Sequence, residues 1–491
     1  MKSVDAPLSG QLGVGSILFM VVAAAAPLTA IAGLSPVGVL QGNGAGYPAM
    51  YLILGALLVL FSLGFCAMAP RVREAGGFYS YIRMGLGNRA GAGASFLAMF
   101  AYVAGQIAMY PFIGLQIANL ADDAGIPMPW WAATLLVILG VGYLGYRNID
   151  FSAKILGAIL VIEIVVTLAV SAAIIGQGGD SGLTVTPFEP SMVFSGSIAL
   201  GFMFAVSAFI GFEGTAIYRD EARDPERTIP RATYIAVTSI AVFYAFSTWT
   251  FVMGWGVDDV AAEAARTLAH GDMYQQTATR YIGTWMGVVI NVFLVTSNLA
   301  CILAQHNVTA RYMFSNARTG LLPERLGMRH AKHASPATAS LTTSIMLTVV
   351  TVALIAAGLD PYAQTYTWFS GVAVVAIVLL MATTSLAVVT FFRKTPSSVG
   401  VLRRAVAPIV SAVLMAVLFV VIVINFNRLT GDVDSQGRPT FGPVTLSILA
   451  AIVVAPVAGW LWQGVRDRRR PLTSTGSGET PNVDEVQEAN R

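Results

Sequence analysis

Long runs of apolar residues, separated by short polar stretches, dominate this chain of 491 residues. A helix needs about 20 mainly apolar residues to cross a hydrocarbon core of roughly 30 Å. Glycine and proline inside such runs do not argue against helix, because neighbouring helices in a bundle satisfy the backbone groups that they free. The pattern predicts an all-α integral membrane protein with twelve transmembrane helices, called spans 1 to 12 here: about 14–41, 47–69, 90–120, 129–147, 150–176, 192–219, 232–256, 279–310, 338–358, 366–392, 405–426 and 441–463.

Charged residues are few and unevenly distributed. They make up 11% of the sequence, against 56% hydrophobic residues, whereas a soluble domain has roughly 25% charged residues. With the N-terminus inside, 25 of the 29 Lys and Arg residues fall in the inner connections, as the positive-inside rule requires. We therefore expect both termini to be cytoplasmic, with an N-terminal segment 1–11, a transmembrane domain 12–464 and a disordered tail 465–491.

Motifs of several other protein classes are missing from the sequence. The two cysteines, Cys66 and Cys301, lie in apolar runs and support neither a disulfide framework nor a Cys-based zinc site. The sequence has no Walker lysine motif and no grouping of Ser, His and Asp typical of a hydrolase. We expect a protein that is not an enzyme, holds no metal or cofactor and binds no nucleic acid.

Two carboxylates, Glu163 and Glu213, remain inside the spans once the loops are assigned. An ionisable residue within a span costs about 2.5–3.5 kcal/mol on insertion scales, so it indicates a functional site by default. Glu163 lies near the middle of span 5, in ILVIEIVVT (159–167), and no Lys or Arg sits in a span centre to pair with it. An apolar environment favours the neutral acid, which a proton carrier requires. The alternative is a protonated Glu that serves helix packing alone.

Glu213 lies in span 6 between two glycines, Gly211 and Gly214. Each glycine weakens a helix by about 1 kcal/mol relative to alanine, so this site is able to unwind. A carboxylate can accept hydrogen bonds from the amides that such a break exposes. Two interpretations stay open: Glu213 is a proton or gating group, or it holds an unwound segment in shape.

Span 1 is also predicted to be interrupted near its centre, because Pro27, Gly33 and Pro36 follow one another closely. The two predicted breaks are five spans apart. That spacing is typical of transporters built from inverted repeats of five helices, which bind substrate at the midplane where half-helix termini meet. The free amides at the N-terminus of a half-helix suit a carboxylate.

Three passages resemble the amino acid, polyamine and organocation (APC) transporter superfamily, and a bacterial-type amino acid permease in particular. EAGGFYSYIRMGLG (74–87) is similar to the family segment that enters helix 3. GFEGTAIYRDEARDPERTIPRA (211–232) is similar to its helix 6 signature, and TARYMFSNARTGLLPERL (309–326) to the segment after helix 8. The resemblance implies the LeuT-like fold, in which a five-plus-five inverted repeat with discontinuous helices 1 and 6 is followed by helices 11 and 12.

The resemblance also implies roles for individual residues. The main chain around span 1's break would receive a substrate carboxylate, although Pro27 has no amide to give; these residues are Ala26, Pro27, Leu28, Thr29 and Ala30. Carbonyls near Ser207, Ala208 and Ile210 would receive the substrate amine, and Gln305 falls at a position that often lines the pocket. Glu213 falls on a glutamate associated with gating. Glu163 falls where some proton-coupled relatives carry a lysine in place of a sodium ion.

The sequence therefore predicts a secondary active amino acid permease of the inner or plasma membrane that works by alternating access. A carboxylate at position 163 can bind a proton or a sodium ion, and we favour a proton gradient as the driving force over sodium. The partners expected are a small-molecule substrate and the lipid bilayer. Two alternatives stay open: a polyamine transporter of the same superfamily, or a substrate sensor that retains the fold without transport. The sequence does not predict the oligomeric state.

Overall fold

The structure is a computed structural model that describes residues 12–72, 77–147, 153–215, 222–328 and 336–469. Within these ranges the chain is helical, and two isolated β-bridges are the only pairing of extended backbone. This confirms the all-α prediction. The predicted N-terminal segment 1–11 and tail residues 470–491 lie outside the described residues. The last helix continues to Arg469, beyond the predicted boundary at 464, since basic side chains are favoured in the last turn of a helix.

Each predicted span corresponds to a helix. Ten helical segments of the described ranges are long and apolar enough to cross a membrane; one of them, Val14–Arg71, contains spans 1 and 2, and the shorter apolar helix Trp130–Tyr146 is span 4. The continuous spans are span 2 Tyr47–Met68, span 3 Asn88–Asp123, span 4 Trp130–Tyr146, span 5 Ala153–Gly176, span 7 Pro225–Trp255, span 8 Thr284–Arg318, span 9 Ala337–Ala356, span 10 Thr367–Lys394, span 11 Ala407–Ile424 and span 12 Pro443–Arg469.

Span 1 is broken, as predicted. Its first half, span 1a, is the helix Val14–Ala24, and its second half, span 1b, covers residues 27–43 as short α and π turns. Ala26 joins them in the left-handed conformation, with φ 46° and ψ 69°. The residue before a proline is disfavoured in the α region, and Pro27 fits the first position of the new helix because it needs no N–H partner there.

Span 6 is broken as well. Its first half, span 6a, is the helix Ile198–Phe209, and Ile210 leaves the helical region with ψ 126°. Gly211 follows with φ 114°, a conformation that favours glycine, and residues 212–215 form a tight 3₁₀ turn. The flanking glycines and Pro27 were therefore correct local signals for the two breaks.

The packing of the spans reflects two repeats of five. Spans 1 and 6, 2 and 7, 3 and 8, and 4 and 9 are in contact, so that spans five apart in sequence pack in pairs. Gly42 of span 1b and Gly201 of span 6a meet backbone to backbone: a Cβ on Gly42 would lie 2.9 Å from the Cα of Gly201. The amide of Ser197 also donates to the carbonyl of Gly42 at 2.8 Å. The end of span 1b and the start of span 6a are thus held together.

The two ends of the bundle carry different loops. At one end, called the basic end here, the guanidinium of Arg71 donates to Ser397 at 3.1 Å and Arg89 pairs with Asp467 at 3.2 Å. At the other end Arg280 forms an ion pair with Asp180. Each contact joins loops that the charge pattern assigns to the same side, which agrees with the predicted topology. We expect the basic end to face the cytoplasm.

Candidate functional site

A cavity of about 50 Å³ lies between the breaks of spans 1 and 6. A single water needs about 10–15 Å³, so this space holds a few water molecules. Its walls come from spans 1, 3, 6, 8 and 10. No Lys, Arg, Asp or Glu of the described ranges lines it. The site is therefore polar through main-chain groups, hydroxyls and amides rather than through charged side chains.

Six of the nine predicted substrate-binding residues line this cavity: Thr29, Ala30, Ser207, Ala208, Ile210 and Gln305. The other three, Ala26, Pro27 and Leu28, are buried beside it without lining it. The Thr29 hydroxyl is buried and has no hydrogen-bond partner within the described ranges, so it is free to meet a polar ligand group. The structure thus brings the two break regions and span 8 together, while the binding role of each residue stays a prediction.

Sequence reasoning missed the contributions of spans 3 and 10. Span 3 provides Tyr102 and Gly105, and span 10 provides Ser370 and Ala373, with Tyr366 in the π turn just before it. The span 10 residues recur at helical spacing and so share one face. That spacing was a signal in the sequence. Other faces of the same apolar helices show a similar pattern, so the sequence alone does not indicate which face lines a cavity.

The amide of Gln305 has unusual neighbours. Its Nε2 contacts the sulfur atoms of Met109 at 3.3 Å and of Cys301 at 3.4 Å, and sulfur is a weak acceptor. A Cβ on Gly105 would lie 2.7 Å from its Oε1, so the absence of a side chain at position 105 gives this amide its space. A ligand oxygen would be a stronger partner for the Gln305 N–H groups than either sulfur.

Glu213 holds the unwound part of span 6. Its side chain is 1% exposed. One carboxylate oxygen accepts from the amide of Gly211 at 2.9 Å, and the other accepts from the hydroxyl of Tyr102 at 2.9 Å. The first bond satisfies an amide that the break exposes. The second fastens the break to span 3, where Tyr102 also lines the cavity. This geometry favours the interpretation that Glu213 keeps an unwound segment in shape.

Glu163 reaches the break of span 1 from a different helix. Its side chain is 2% exposed, and it accepts from the hydroxyl of Ser297 in span 8 at 3.0 Å. The backbone amide of Leu28, in the first turn of span 1b, also donates to this carboxylate. Across the break, the hydroxyl of Tyr244 donates to the carbonyl of Ala25 at 3.3 Å. Glu163 therefore joins spans 5 and 8 to the start of span 1b.

Aromatic residues lie on both sides of the cavity. Towards the end of the bundle opposite the basic end, Phe112, Tyr362 and Tyr366 pack ring against ring, with centroids 4.6–5.4 Å apart. The hydroxyl of Tyr362 donates to the carbonyl of Gly33 at 2.7 Å and so ties this group to span 1b. Towards the basic end, the ring of Tyr102 lies 5.8 Å from that of Tyr312. Movement of these rings would be needed for a solute to enter or leave.

Comparison with known proteins assigns the chain to a family. The model of the amino acid permease family matches residues 16–470, which covers both breaks, spans 2 to 12 and all but the first two residues of span 1. The chain belongs to the amino acid permease family. This confirms the resemblance to the APC superfamily and the LeuT-like fold expected from it.

Several relatives of this permease are transporters. An uncharacterized transporter of Mycobacterium tuberculosis is 27% identical over 64% of the chain and 68% of its own length. The low-affinity putrescine importer PlaP of Escherichia coli is 21% identical over 61% of the chain and 66% of its own length. The Asc-type amino acid transporter 1 of Mus musculus is 25% identical over 66% of the chain and 62% of its own length.

A solved structure shares the fold of this permease. It is the crystal structure of the Eremococcus coleocola manganese transporter in complex with an aromatic bis-isothiourea substituted compound. The similarity covers 96% of this chain and 99% of that one, with a TM-score of 0.57 and 13% sequence identity. At this identity the comparison supports the arrangement of helices alone.

Proposed function

We propose that the protein is a secondary active permease for neutral amino acids, driven by protons and working by alternating access about spans 1 and 6. The observation that carries this proposal is the cavity bounded by both breaks. The membership of the chain in the amino acid permease family supports the transport of amino acids. We place it in the cell membrane with the basic end towards the cytoplasm, following its charge distribution.

The two half-helices provide complementary ends for a zwitterion. Span 1b begins at Pro27 beside the cavity, and the N-terminus of a helix carries about half a positive charge. Span 6a ends at Phe209 on the other side, and the C-terminus of a helix carries about half a negative charge. A substrate carboxylate near Thr29 and an ammonium group near Ser207 and Ala208 would match both ends.

The lining favours a neutral side chain. The described residues that line the cavity include no carboxylate to pair a second ammonium group and no basic group to pair a second carboxylate. A polyamine has no carboxylate for the start of span 1b and carries at least two cationic groups, so it fits this lining less well than an amino acid. Gln305 is placed to form a hydrogen bond with the polar part of a substrate side chain, because its amide contacts only weak sulfur acceptors.

Proton coupling would work through Glu163. When ionised, this carboxylate lies beside the first turn of span 1b and disfavours a second carboxylate there, because like charges repel strongly away from water. Protonation removes that repulsion and also weakens its hydrogen bonds from Leu28 and Ser297, since the ionised form is the better acceptor. A proton and a substrate carboxylate would therefore bind together, which is the requirement for symport.

Uptake into proteoliposomes tests the proposal. We expect an inward proton gradient to drive accumulation of a labelled neutral amino acid, with no requirement for sodium. Unlabelled neutral amino acids should compete, and putrescine should not. Competition by putrescine but not by amino acids would favour the polyamine alternative. A substrate sensor would raise the unfolding temperature on binding without any uptake, and that result would contradict transport.

A further inference from the structure

A second cavity, of about 420 Å³, lies at the basic end of the bundle. It is separate from the central cavity and is formed by the helix Phe78–Leu86, the start of span 3, the end of span 8 and the last turns of span 12. Three arginines line it: Arg83, Arg318 and Arg466. It is much the larger of the two cavities, and the proposed transport function assigns it no role.

The lining of this arginine cavity is positively charged. Among the described residues that line it, no Asp or Glu accompanies the three arginines. Asp467 follows Arg466 in the chain, but its carboxylate is bonded to Arg89 at 3.2 Å and accepts from Gln463 at 2.8 Å. Its charge is thus matched by an arginine that does not line the cavity. Two of these guanidinium ions, those of Arg318 and Arg466, have no carboxylate partner among the residues that the structure describes. Such a pair inside a concave surface favours an anion.

A buried amide adds a hydrogen-bond donor to the same wall. Asn316 lines the cavity and is 3% exposed. Its Oδ1 accepts from the hydroxyl of Ser95 at 2.8 Å, while its Nδ2 has no partner in the part of the chain that the structure describes. A buried donor without a partner costs about 1–3 kcal/mol, and such groups are rare in folded proteins. An oxygen-rich ligand would satisfy it.

Arg466 is held against the end of span 8. Gly320 follows that span with φ +76°, and a Cβ at this position would lie 2.7 Å from the Nη2 of Arg466. The absence of a side chain at position 320 therefore lets the guanidinium pack against the turn. Arg318 lies with its guanidinium 5.8 Å from the ring centroid of Phe314. Both arginines are placed by contacts with protein groups that leave their charge uncompensated.

We propose that this cavity binds a phosphate group, supplied either by the headgroup of an anionic phospholipid or by free phosphate. Guanidinium groups match the oxygens of a phosphate with pairs of parallel hydrogen bonds, and those of Arg318 and Arg466 together suit a group with several oxygens. Span 12 forms one wall, and only 17% of its most apolar stretch is buried within the protein. The cavity therefore adjoins a surface that lipids contact. Arg89 lies 5.5 Å from the ring centroid of Trp460 on this span, and tryptophan is enriched at the membrane interface.

Retention of lipid by the full-length protein tests whether the phosphate group comes from an anionic phospholipid. The protein would be reconstituted in nanodiscs of phosphatidylcholine with a minor fraction of phosphatidylglycerol, released into detergent, and its bound lipids counted by native mass spectrometry. We expect Arg318→Gln and Arg466→Gln each to reduce retained phosphatidylglycerol by about tenfold, the order expected for losing a charge-assisted hydrogen bond. The control is Arg393→Gln, which removes an exposed arginine in the last turn of span 10 and should retain lipid as the wild type does.

Free phosphate is tested in a second arm, without anionic lipid. Inorganic phosphate would be compared with chloride at matched ionic strength, and the unfolding temperature measured for the same four proteins. A rise that depends on Arg318 and Arg466, without lipid retention, identifies free phosphate as the source. If neither ligand binds the wild type, or if both glutamine variants bind like the control, the proposal is wrong. Neither readout involves transport, so this outcome is independent of the proposed function.

Discussion

The two buried glutamates, Glu163 and Glu213, serve the two breaks in different ways. Glu213 belongs to the segment that it stabilises, because its carboxylate accepts from the amide of Gly211 two residues before it. Glu163 belongs to span 5 and contacts the break of span 1 from outside, together with Ser297 of span 8. A carboxylate within the unwound segment moves with it, whereas one on a neighbouring helix can release it. The comparison indicates which glutamate is suited to coupling.

The comparison also separates two kinds of energetic role. The bonds of Glu213 fix a local backbone shape and one tyrosine, so their loss should affect folding and every mode of transport alike. The bonds of Glu163 join three spans, so their loss on protonation should change the balance between conformations. Protonation shifts a conformational equilibrium only as far as the affinity of the carboxylate for a proton differs between the two conformations. Glu163 has contacts that differ if span 1 moves away from spans 5 and 8.

The largest effect is expected for Glu163→Gln. Glutamine keeps the size and an acceptor oxygen but resembles the protonated acid, so the coupling of substrate to the proton is removed. We expect proton-driven accumulation in proteoliposomes to fall by about tenfold or more, which is within the usual range for coupling between two ligands. Exchange of internal for external substrate should persist, and its rate should no longer depend on pH.

The matched control is Glu213→Gln, which removes the other buried carboxylate. We expect this variant to lower proton-driven uptake and exchange by the same factor. The interpretation of Glu163 is contradicted if its glutamine variant still accumulates substrate in response to a pH gradient. It is also contradicted if the two variants lose accumulation and exchange in the same proportion.

The next largest effect is on stability, for Glu213→Ala. Alanine leaves the Gly211 amide and the Tyr102 hydroxyl without their acceptor inside the protein. Each unsatisfied buried donor costs about 1–3 kcal/mol, so we expect a loss of roughly 3 kcal/mol in the free energy of unfolding, measured by denaturant or thermal unfolding of the purified protein. Glu213→Gln should lose less, because one acceptor oxygen remains. Equal losses in the two variants would show that the carboxylate does not stabilise the break.

The breaks themselves were predictable because their signals are local. Pro27 interrupts span 1 through its own missing N–H, and Gly211 gives span 6 a conformation that other residues rarely adopt. The twelve spans followed from the length of apolar runs, and the segregation of Lys and Arg gave the loop assignment. Each of these inferences depends on neighbouring residues in the chain, which is what a sequence presents directly.

The partners at the site were not predictable in the same way. Glu163 and Ser297 are 134 positions apart, and Tyr102 is 111 positions from Glu213. Nothing local to Ser297 or Tyr102 distinguishes them from other hydroxyl-bearing residues in apolar helices. The amides of span 1b were expected to receive substrate, yet that of Leu28 already donates to a protein carboxylate. Such contacts depend on how the helices pack, which the sequence of one helix does not contain.

A smaller effect is expected for Tyr102→Phe, which removes the hydroxyl that ties the span 6 break to span 3. Glu213 keeps its bond from Gly211, so we expect a loss of about 1 kcal/mol in the free energy of unfolding, the usual net value of one hydrogen bond. The double variant with Glu213→Ala should lose less than the sum of the two single variants, because both remove the bond between Tyr102 and Glu213. Additive losses would indicate that the two side chains act independently.

The smallest effect is expected for a substitution at Ala26, because the two breaks use different residues in their backbones. Ala26 has a left-handed conformation, which costs an alanine roughly 1–2 kcal/mol, whereas span 6 uses glycine at Gly211. Ala26→Gly should relieve this strain and lose about as much through the greater freedom of the unfolded chain, so we expect a net change within about 1 kcal/mol of zero. Ala32→Gly makes the same chemical change within span 1b, where the backbone is helical, and should destabilise the protein by about 1 kcal/mol. Unfolding measurements on both variants compare the two positions directly. If Ala26→Gly is as costly as Ala32→Gly, residue 26 does not keep its left-handed conformation in the protein in solution, and the break in span 1 is less well defined than the break in span 6.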